Sequence, residues 1–278
     1  MKRRKIQSKE VGLELGLIFG AYFLKSEYLH FGYWTGDLPL DIQNLARAQE
    51  NYADFLISHI PEGVHTILDV GCGSGKLALT LVERGYEVDC VSPSSILTDH
   101  AKKLLGVKSR IFECYYEALQ TDKRYDLILF SESFQYIPME SALENSQKFL
   151  NEGGFILICD FFKTDAGGGI KMGGGHRFSR FKEILARYAL NIVKEIDITD
   201  RTAPNFDLVR DLMVRVGVPV WELILYYLDR SHPRILKFLK WKYRKKIDRM
   251  ERIFFNREIS AENFKIYQTY RLFLLKLN

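Results

Sequence analysis

Between residues 65 and 162 the apolar positions follow two alternating rhythms. Short, nearly continuous apolar runs occur at HTILDV (65–70), YEVDCV (86–91), KSRIFECYY (108–116), YDLILFS (125–131) and GGFILICDFF (153–162). Runs of this length read as buried strands. Between them, KLALTLVERG (76–85), SSILTDHAKKLLG (94–106) and MESALENSQKFL (139–150) place apolar residues three to four apart, and the first two stop at glycine. That spacing predicts helices. Strands separated by helices imply a parallel sheet covered on both faces. Ligands of such sheets lie beyond the carboxyl ends of the strands, where the strand order reverses.

The first strand runs at that end into LDVGCGSG, with Gly71, Gly73 and Gly75 each two residues apart. A dinucleotide fingerprint would read G-x-G-x-x-G, and a phosphate loop would need Ser or Thr after its lysine; here Lys76 is followed by Leu77. Neither pattern fits. The stretch resembles motif I of class I S-adenosylmethionine-dependent methyltransferases, because it follows a strand and precedes a helix. The resemblance implies a Rossmann-like, doubly wound α/β sheet of seven strands with an antiparallel last strand. It also implies S-adenosylmethionine as cofactor and S-adenosylhomocysteine as product.

Carried onto this chain, the resemblance expects bare backbone at Gly71, Gly73 and Gly75, with Cys72 among the cofactor contacts, beside the methionine part of the cofactor, and Asp69 near its ammonium. The second strand usually delivers an acid to the ribose; Ser92, followed by Pro93, stands there instead. YYEAL (115–119) matches the segment against adenine, with Tyr115 in place of the usual aspartate and Tyr116 and Glu117 present. Ser131 ends the fourth strand near the methionine. LNIVKEIDIT (190–199) and FKIYQTYRLFLLKL (264–277) match strands six and seven of the family hairpin. About sixty residues separate them, too many for a plain loop. FDLVRDLMVRVG, PVWELILYYLDR and a long segment at 232–255 read as helices. Along the last, Ile235, Leu239, Tyr243, Ile247, Met250 and Phe254 keep helical spacing and predict a buried stripe.

YLHFGYWTGDLPLDIQNLARAQENYADFLISHI (28–60) resembles the lead-in of the small-molecule and lipid methyltransferases of the tocopherol, sterol and cyclopropane-synthase groups. There Tyr33 and Trp34 would wall the methyl channel, since an aromatic face favours a cation. The organisation expected is a helical lead-in and cap (1–60), a cofactor-binding core (61–200), a helical insert that caps substrate (201–262) and a final strand (263–278). The cap is rich in Phe, Tyr, Trp, Leu and Ile, which suits a hydrophobic acceptor, although such a cap can equally be a core.

Composition narrows the setting. The chain is 278 residues long, 47% apolar, with a formal net charge of +5. No apolar run is long enough to span a bilayer. VGLELGLIFGAYFL (11–24) follows four cations, but Glu14 interrupts it and no small-residue cleavage site follows, so it reads as an amphipathic first helix. Cys72, Cys90, Cys114 and Cys159 lack metal-ligand spacing and suit reduced thiols. No metal is expected. A cytoplasmic location follows, with possible peripheral membrane contact. Residues 230–257 hold eleven Lys or Arg against Asp248 and Glu251, a solvated face or an attraction to an anionic membrane through the basic helix 233–255. Nucleic acid is not expected, and the oligomeric state is open.

Methyl transfer from a sulfonium mostly needs alignment and removal of a proton. Candidate catalytic groups are His30, Tyr33, Glu132 and His176, with Glu132 following the fourth strand at the reactive end. Trp34, Gln135 and Tyr136 are candidate substrate contacts. His176 closes AGGGIKMGGG (166–175), six glycines in ten residues, which reads as a lid or an inert surface loop. The function expected is methyl transfer to a small, hydrophobic, lipid or isoprenoid-like acceptor. Open beside it are a cyclopropane-synthase-like reaction, O- or N-methylation of a polar metabolite, and a non-catalytic cofactor binder on a membrane.

Overall fold

The computed structural model describes residues 8–166, 174–255 and 259–278. One sheet contains β1 (Thr66–Val70), β2 (Glu87–Val91), β3 (Ile111–Phe112), β4 (Tyr125–Ser131), β5 (Leu150–Lys163), β6 (Leu190–Asp197) and β7 (Gln268–Leu277). The spatial order is β3-β2-β1-β4-β5-β7-β6. The first five strands are parallel, and β7 runs antiparallel to both β5 and β6. The order reverses between β1 and β4, so the loops leaving those two strands face one another.

Alternate residues of each central strand feed opposite cores. Ile67, Leu127, Leu129 and Leu157 pack with Leu77, Leu81 and Ala101 from α3 (Lys76–Glu83) and α4 (Ser95–Leu105). Leu68, Ile128, Phe130 and Ile156 pack with Leu143, Phe149 and Phe181 from α5 (Met139–Phe149) and α6 (Phe178–Leu185). Both faces are covered, which is why these strands read as unbroken apolar runs.

Three expectations are corrected. The third strand is two residues long, because it is an edge strand and the chain turns inward after it. Tyr116 then drops into the core and its Oη lies 3.2 Å from Ser146 Oγ on α5. The seventh strand begins at Gln268, not 264. Ser260 caps a short helix, α11 (Ala261–Tyr267), by accepting from the Asn263 N–H, and the helix buries Phe264 against Phe206 at 4.4 Å between ring centroids.

The third correction concerns the insert. It consists of α7 (Thr199–Thr202), α8 (Pro204–Leu212), a wide turn at Met213–Gly217, α9 (Val218–Ser231) and α10 (Pro233–Phe255). On α10, Leu236 is buried while Ile235 and Tyr243 are exposed. The expected stripe is therefore kept only in part: Leu239 and Ile247 are half-buried, and Leu236, outside the stripe, is buried instead of Ile235. The side chains of Met250 and Phe254 lie outside those described.

The front of the chain holds α1 (Ser8–Phe19), a π-turn at Gly20–Leu24 and α2 (Leu45–Ile57). A buried amide fastens this lead-in to the insert. Asn205 Oδ1 accepts from the Gly32 N–H at 2.9 Å and the Trp34 indole at 3.2 Å, and its Nδ2 donates to the carbonyls of Gly32 at 2.7 Å and Thr202 at 2.6 Å. Gly32 fits because a Cβ there would come within 2.6 Å of the Ala48 Cβ. Replacing Asn205 with Ala leaves several buried groups unpaired and is expected to cost about 2–3 kcal/mol of stability, read by urea unfolding. A loss below about 0.5 kcal/mol would place the strength of this junction elsewhere.

Candidate functional site

A cavity of about 660 Å³ opens beyond the carboxyl ends of β1 and β4. Its floor is the Asp69–Ser74 turn, one wall is Ser131–Ile137, and a second wall combines Ser92–Ser94 with Tyr115–Glu117. Tyr28, Leu29 and His30 close it from the lead-in, and Gly12 and Leu13 of α1 roof it.

The three glycines of the turn all have positive φ, but they serve different ends. A Cβ at Gly71 would lie 2.5 Å from the Ser133 Cβ, so this glycine lets the β4 loop approach the β1 loop. Ser133 Oγ then donates to the Val70 carbonyl. A Cβ at Gly75 would lie 2.9 Å from the Ala101 Cβ, and Gly75 does not line the cavity. Its absence of a side chain packs α4 against the turn. Gly73 leaves its Cβ position open toward the cavity, near nothing but the flexible Leu29 side chain, at 3.3 Å at its closest.

Two buried polar atoms at the cavity have no hydrogen-bond partner among the described residues. One is Asp69 Oδ2, on a carboxyl whose burial pushes it up to about 7. The other is His30 Nε2. His30 Nδ1 lies 2.9 Å from the Phe31 carbonyl, which can only accept, so Nδ1 carries the hydrogen and Nε2 presents a lone pair. Burial holds the imidazole neutral, down at about 4. Unpaired buried groups are costly. A cationic amine would complete Asp69, and a hydroxyl would complete His30.

Glu132 is the most constrained residue of the site. Its φ is +54, one of two non-glycine residues in the left-handed region among those described. That turn carries the chain out of β4 and buries the carboxyl, which desolvation pushes up to about 7. Oε1 accepts from the Phe31 N–H at 2.7 Å and from Tyr270 Oη at 2.8 Å. Tyr270 Oη is 3.0 Å from Tyr52 Oη, which lies 3.3 Å from Ser131 Oγ. A third buried carboxyl, Asp160, is pushed up to about 8 and accepts from the Gln135 N–H and side-chain amide.

The structure brings together His30, Asp69, Gly71, Cys72, Gly73, Ser92, Pro93, Tyr116, Glu117, Ser131, Glu132, Gln135 and Tyr136 at this one cavity. It places four expected residues elsewhere, Gly75 in the packing against α4 described above and three more away from the opening. Tyr33 stacks on Phe55 at 4.9 Å between centroids, and Trp34 is buried against Ala48 and Leu208. The chain direction through Gly32 turns both toward α2 and α8, leaving Tyr28 and Leu29 to face the cavity instead. His176 directs Nε2 to the carbonyls of Phe134 at 3.1 Å and Ile137 at 2.9 Å, bracing the β4 loop from behind. Residues 167–173 of the glycine-rich segment lie outside the described residues. Sequence reasoning missed Tyr28, Leu29, Tyr52, Asp160, Asn205 and Tyr270. They are dispersed along the chain, and only the Tyr-rich character of strand seven hinted at the last. Among the described residues no cluster of His, Cys, Asp and Glu could hold a metal ion.

Comparison with known proteins bears on this arrangement. The family described as "Methyltransferase domain" matches residues 42–199, more than half of the sequence. The chain belongs to this methyltransferase family. Its cavity falls within and beside the family segment. Among curated relatives, the ubiquinone biosynthesis O-methyltransferase of Rickettsia felis is 30% identical over 135 residues, covering 45% of this chain and 52% of that one. The malonyl-[acyl-carrier protein] O-methyltransferase 2 of Ilyobacter polytropus is 30% identical over 107 residues, 37% and 41% of the two chains. The match thus spans roughly half or less of such relatives. Among solved structures, a geranyl diphosphate methyltransferase bound to its diphosphate and sinefungin superposes with a TM-score of 0.67 at 19% identity, covering 96% and 93% of the chains. A cyclopropane synthase of Mycobacterium tuberculosis gives 0.66 at 15%, covering 99% and 100%. These likenesses establish the fold.

The raised carboxyls set a pH dependence. Folding holds Asp69, Glu132 and Asp160 protonated at pH values where the unfolded chain has released those protons. Their contribution is complete below about pH 4 and is lost as pH rises through about 7 to 8. Urea stability attributable to these groups should therefore decline between pH 5 and 8, about, and the triple amide variant should flatten that slope. A wild-type curve that rises over this range would contradict the assignment.

Proposed function

We propose that the chain transfers a methyl group from S-adenosylmethionine to a small hydrophobic acceptor, lipid or isoprenoid-like, and releases S-adenosylhomocysteine. The observation that carries this reading is Glu132, a buried carboxyl near neutrality held in a strained turn at the reactive end of the cavity. When bound, the cofactor supplies an activated methyl on a sulfonium. Asp69 Oδ2 would take its ammonium, and the backbone from Gly71 to Gly73 would lie along the methionine. Ser92, Pro93, Tyr116 and Glu117 would hold the nucleoside, with Ser131 at the methyl end.

Glu132 would accept the proton released by a methylated carbon, or neutralise a cation formed there. The two hydrogen bonds from Phe31 and Tyr270 both fall on Oε1, so the other oxygen is left to the acceptor. Its value near 7 keeps it poised as a base at neutral pH. Gln135 and Tyr136 would orient the acceptor. His30 supports a second reading, methylation of a hydroxyl, since its bare Nε2 can accept that hydrogen.

As a finer partner reading, α10 offers an outward face for an anionic membrane. Phe238 and Trp241 lie 6.1 Å apart between centroids, with Lys242 5.5 Å over the Phe238 ring. This surface is independent of the cavity.

Calorimetric titration with S-adenosylmethionine and its demethylated product, followed by mass spectrometry of lipid and polar extracts, tests the reading. A gain of one methyl on a lipid supports it, and methylation confined to polar metabolites overturns the acceptor class. Glu132→Gln should leave cofactor affinity within about twofold and lower turnover by roughly 100-fold or more. Unchanged turnover would remove Glu132 from the reaction.

A further inference from the structure

The first helix exposes the side that an ordinary helix buries. Leu15, Ile18 and Phe19 fall on one face of α1 at i, i+3 and i+4, and Tyr22 follows in the π-turn that continues it. Their exposure runs from 49% for Leu15 to 69% for Tyr22, and Phe23 extends the patch at 67%. The other side faces the protein: Leu17 is buried, and Gly12 and Leu13 line the cavity. One helix therefore roofs the candidate site and presents a continuous apolar stripe outward. Contiguous apolar surface of this kind marks a contact.

Charge identifies what it contacts. Residues 1–26 contain Lys2, Arg3, Arg4, Lys5, Lys9 and Lys25 against only Glu10 and Glu14. Cations thus flank the stripe in the sequence at both ends, and the Lys25 ammonium lies 5.3 Å over the Tyr22 ring. An apolar helical face with cations before and after it in the sequence, and aromatic rings at one end, matches the interface of an anionic bilayer. A second copy of the chain would bring the same cations against themselves. At 12 residues the helix is far too short to cross a membrane, and no described helix is long and apolar enough to do so.

We propose that α1 lies along the surface of an anionic bilayer with this stripe among the acyl chains, so that the cavity beneath it receives its acceptor from the lipid phase. The second half of this statement rests on the hydrophobic acceptor proposed above; the membrane contact does not. Lys25, at φ +54, ends the helical segment and lets the chain fold back so that Ser26 Oγ reaches Gln49 at 2.7 Å. Ser26 thereby ties the end of the roof to α2, while the outer face of α1 is exposed.

The test compares the parent chain with an Ile18→Ser/Phe19→Ser variant, neither residue lining the cavity. Both are sedimented with vesicles of phosphatidylcholine alone and of an equimolar mixture with phosphatidylglycerol, and both are titrated with S-adenosylmethionine. The parent should bind the mixed vesicles, lose that binding as salt rises, and bind pure phosphatidylcholine weakly. The variant should lose at least about tenfold in partition with cofactor affinity unchanged. Equal sedimentation of the two chains, or no sedimentation of the parent, overturns the proposal. So does a parent dimer that becomes a monomer in the variant, which would assign the stripe to a second copy. Failure of cofactor binding in both chains would instead strike the proposed reaction, and leave the vesicle result standing.

Discussion

The carboxylate of Glu132 joins three parts of the chain that are otherwise far apart in sequence. Its own position belongs to the end of β4, its Oε1 takes a backbone hydrogen from Phe31 in the lead-in, and the same atom takes the hydroxyl of Tyr270 from β7. The left-handed turn that aims it inward is unfavourable for a non-glycine residue. It persists because the surroundings over-determine it: the Glu132 N–H is bound to the Cys159 carbonyl, and Ser133 is bound to Val70 on β1. The cavity exists where these constraints meet.

Burial has an electrostatic consequence. Asp69, Glu132 and Asp160 are all withdrawn from water, and each is pushed toward neutrality by desolvation. A fold optimised only for stability would place apolar residues there. Two of the three carboxyls, Asp69 and Glu132, line one opening, and this makes chemical sense if the opening receives cationic or proton-releasing groups, which a sulfonium amino acid and a methylated acceptor supply. The same reasoning separates Asp160 from the other two: the Gln135 amide and backbone satisfy it, so it braces the β4 loop and stands behind the cavity wall.

The lead-in and the insert owe their places to polar contacts as much as to apolar ones. Gln49 accepts from Ser26 and donates to the carbonyls of Tyr28 and His30, while Asn205 grips Gly32 and Trp34. These two amides hold the intervening segment at both ends, with Tyr28, Leu29 and His30 toward the cavity. The aromatic pair Tyr33 and Trp34 looked suited to a cation on composition alone. Their orientation was decided by Asn205, 171 residues from Trp34, and no local pattern announces such a partner.

What could be read from the chain alone was whatever repeats locally. The strand and helix periods, the glycine turn after β1 and the acid at the end of β4 are properties of short stretches, because backbone sterics and burial act over a few residues. A parallel sheet with a ligand site at its carboxyl edge followed from them, and the seven-strand order came from the resemblance to the methyltransferases. Tertiary structure decided the rest. It assigned Gly75 to helix packing and His176 to the back of a loop, it buried Leu236 of α10 in place of Ile235 and Tyr243, and it brought Tyr270 to Glu132. Each of these depends on which distant surface arrives at a given residue, and a period of two or 3.6 carries no record of that.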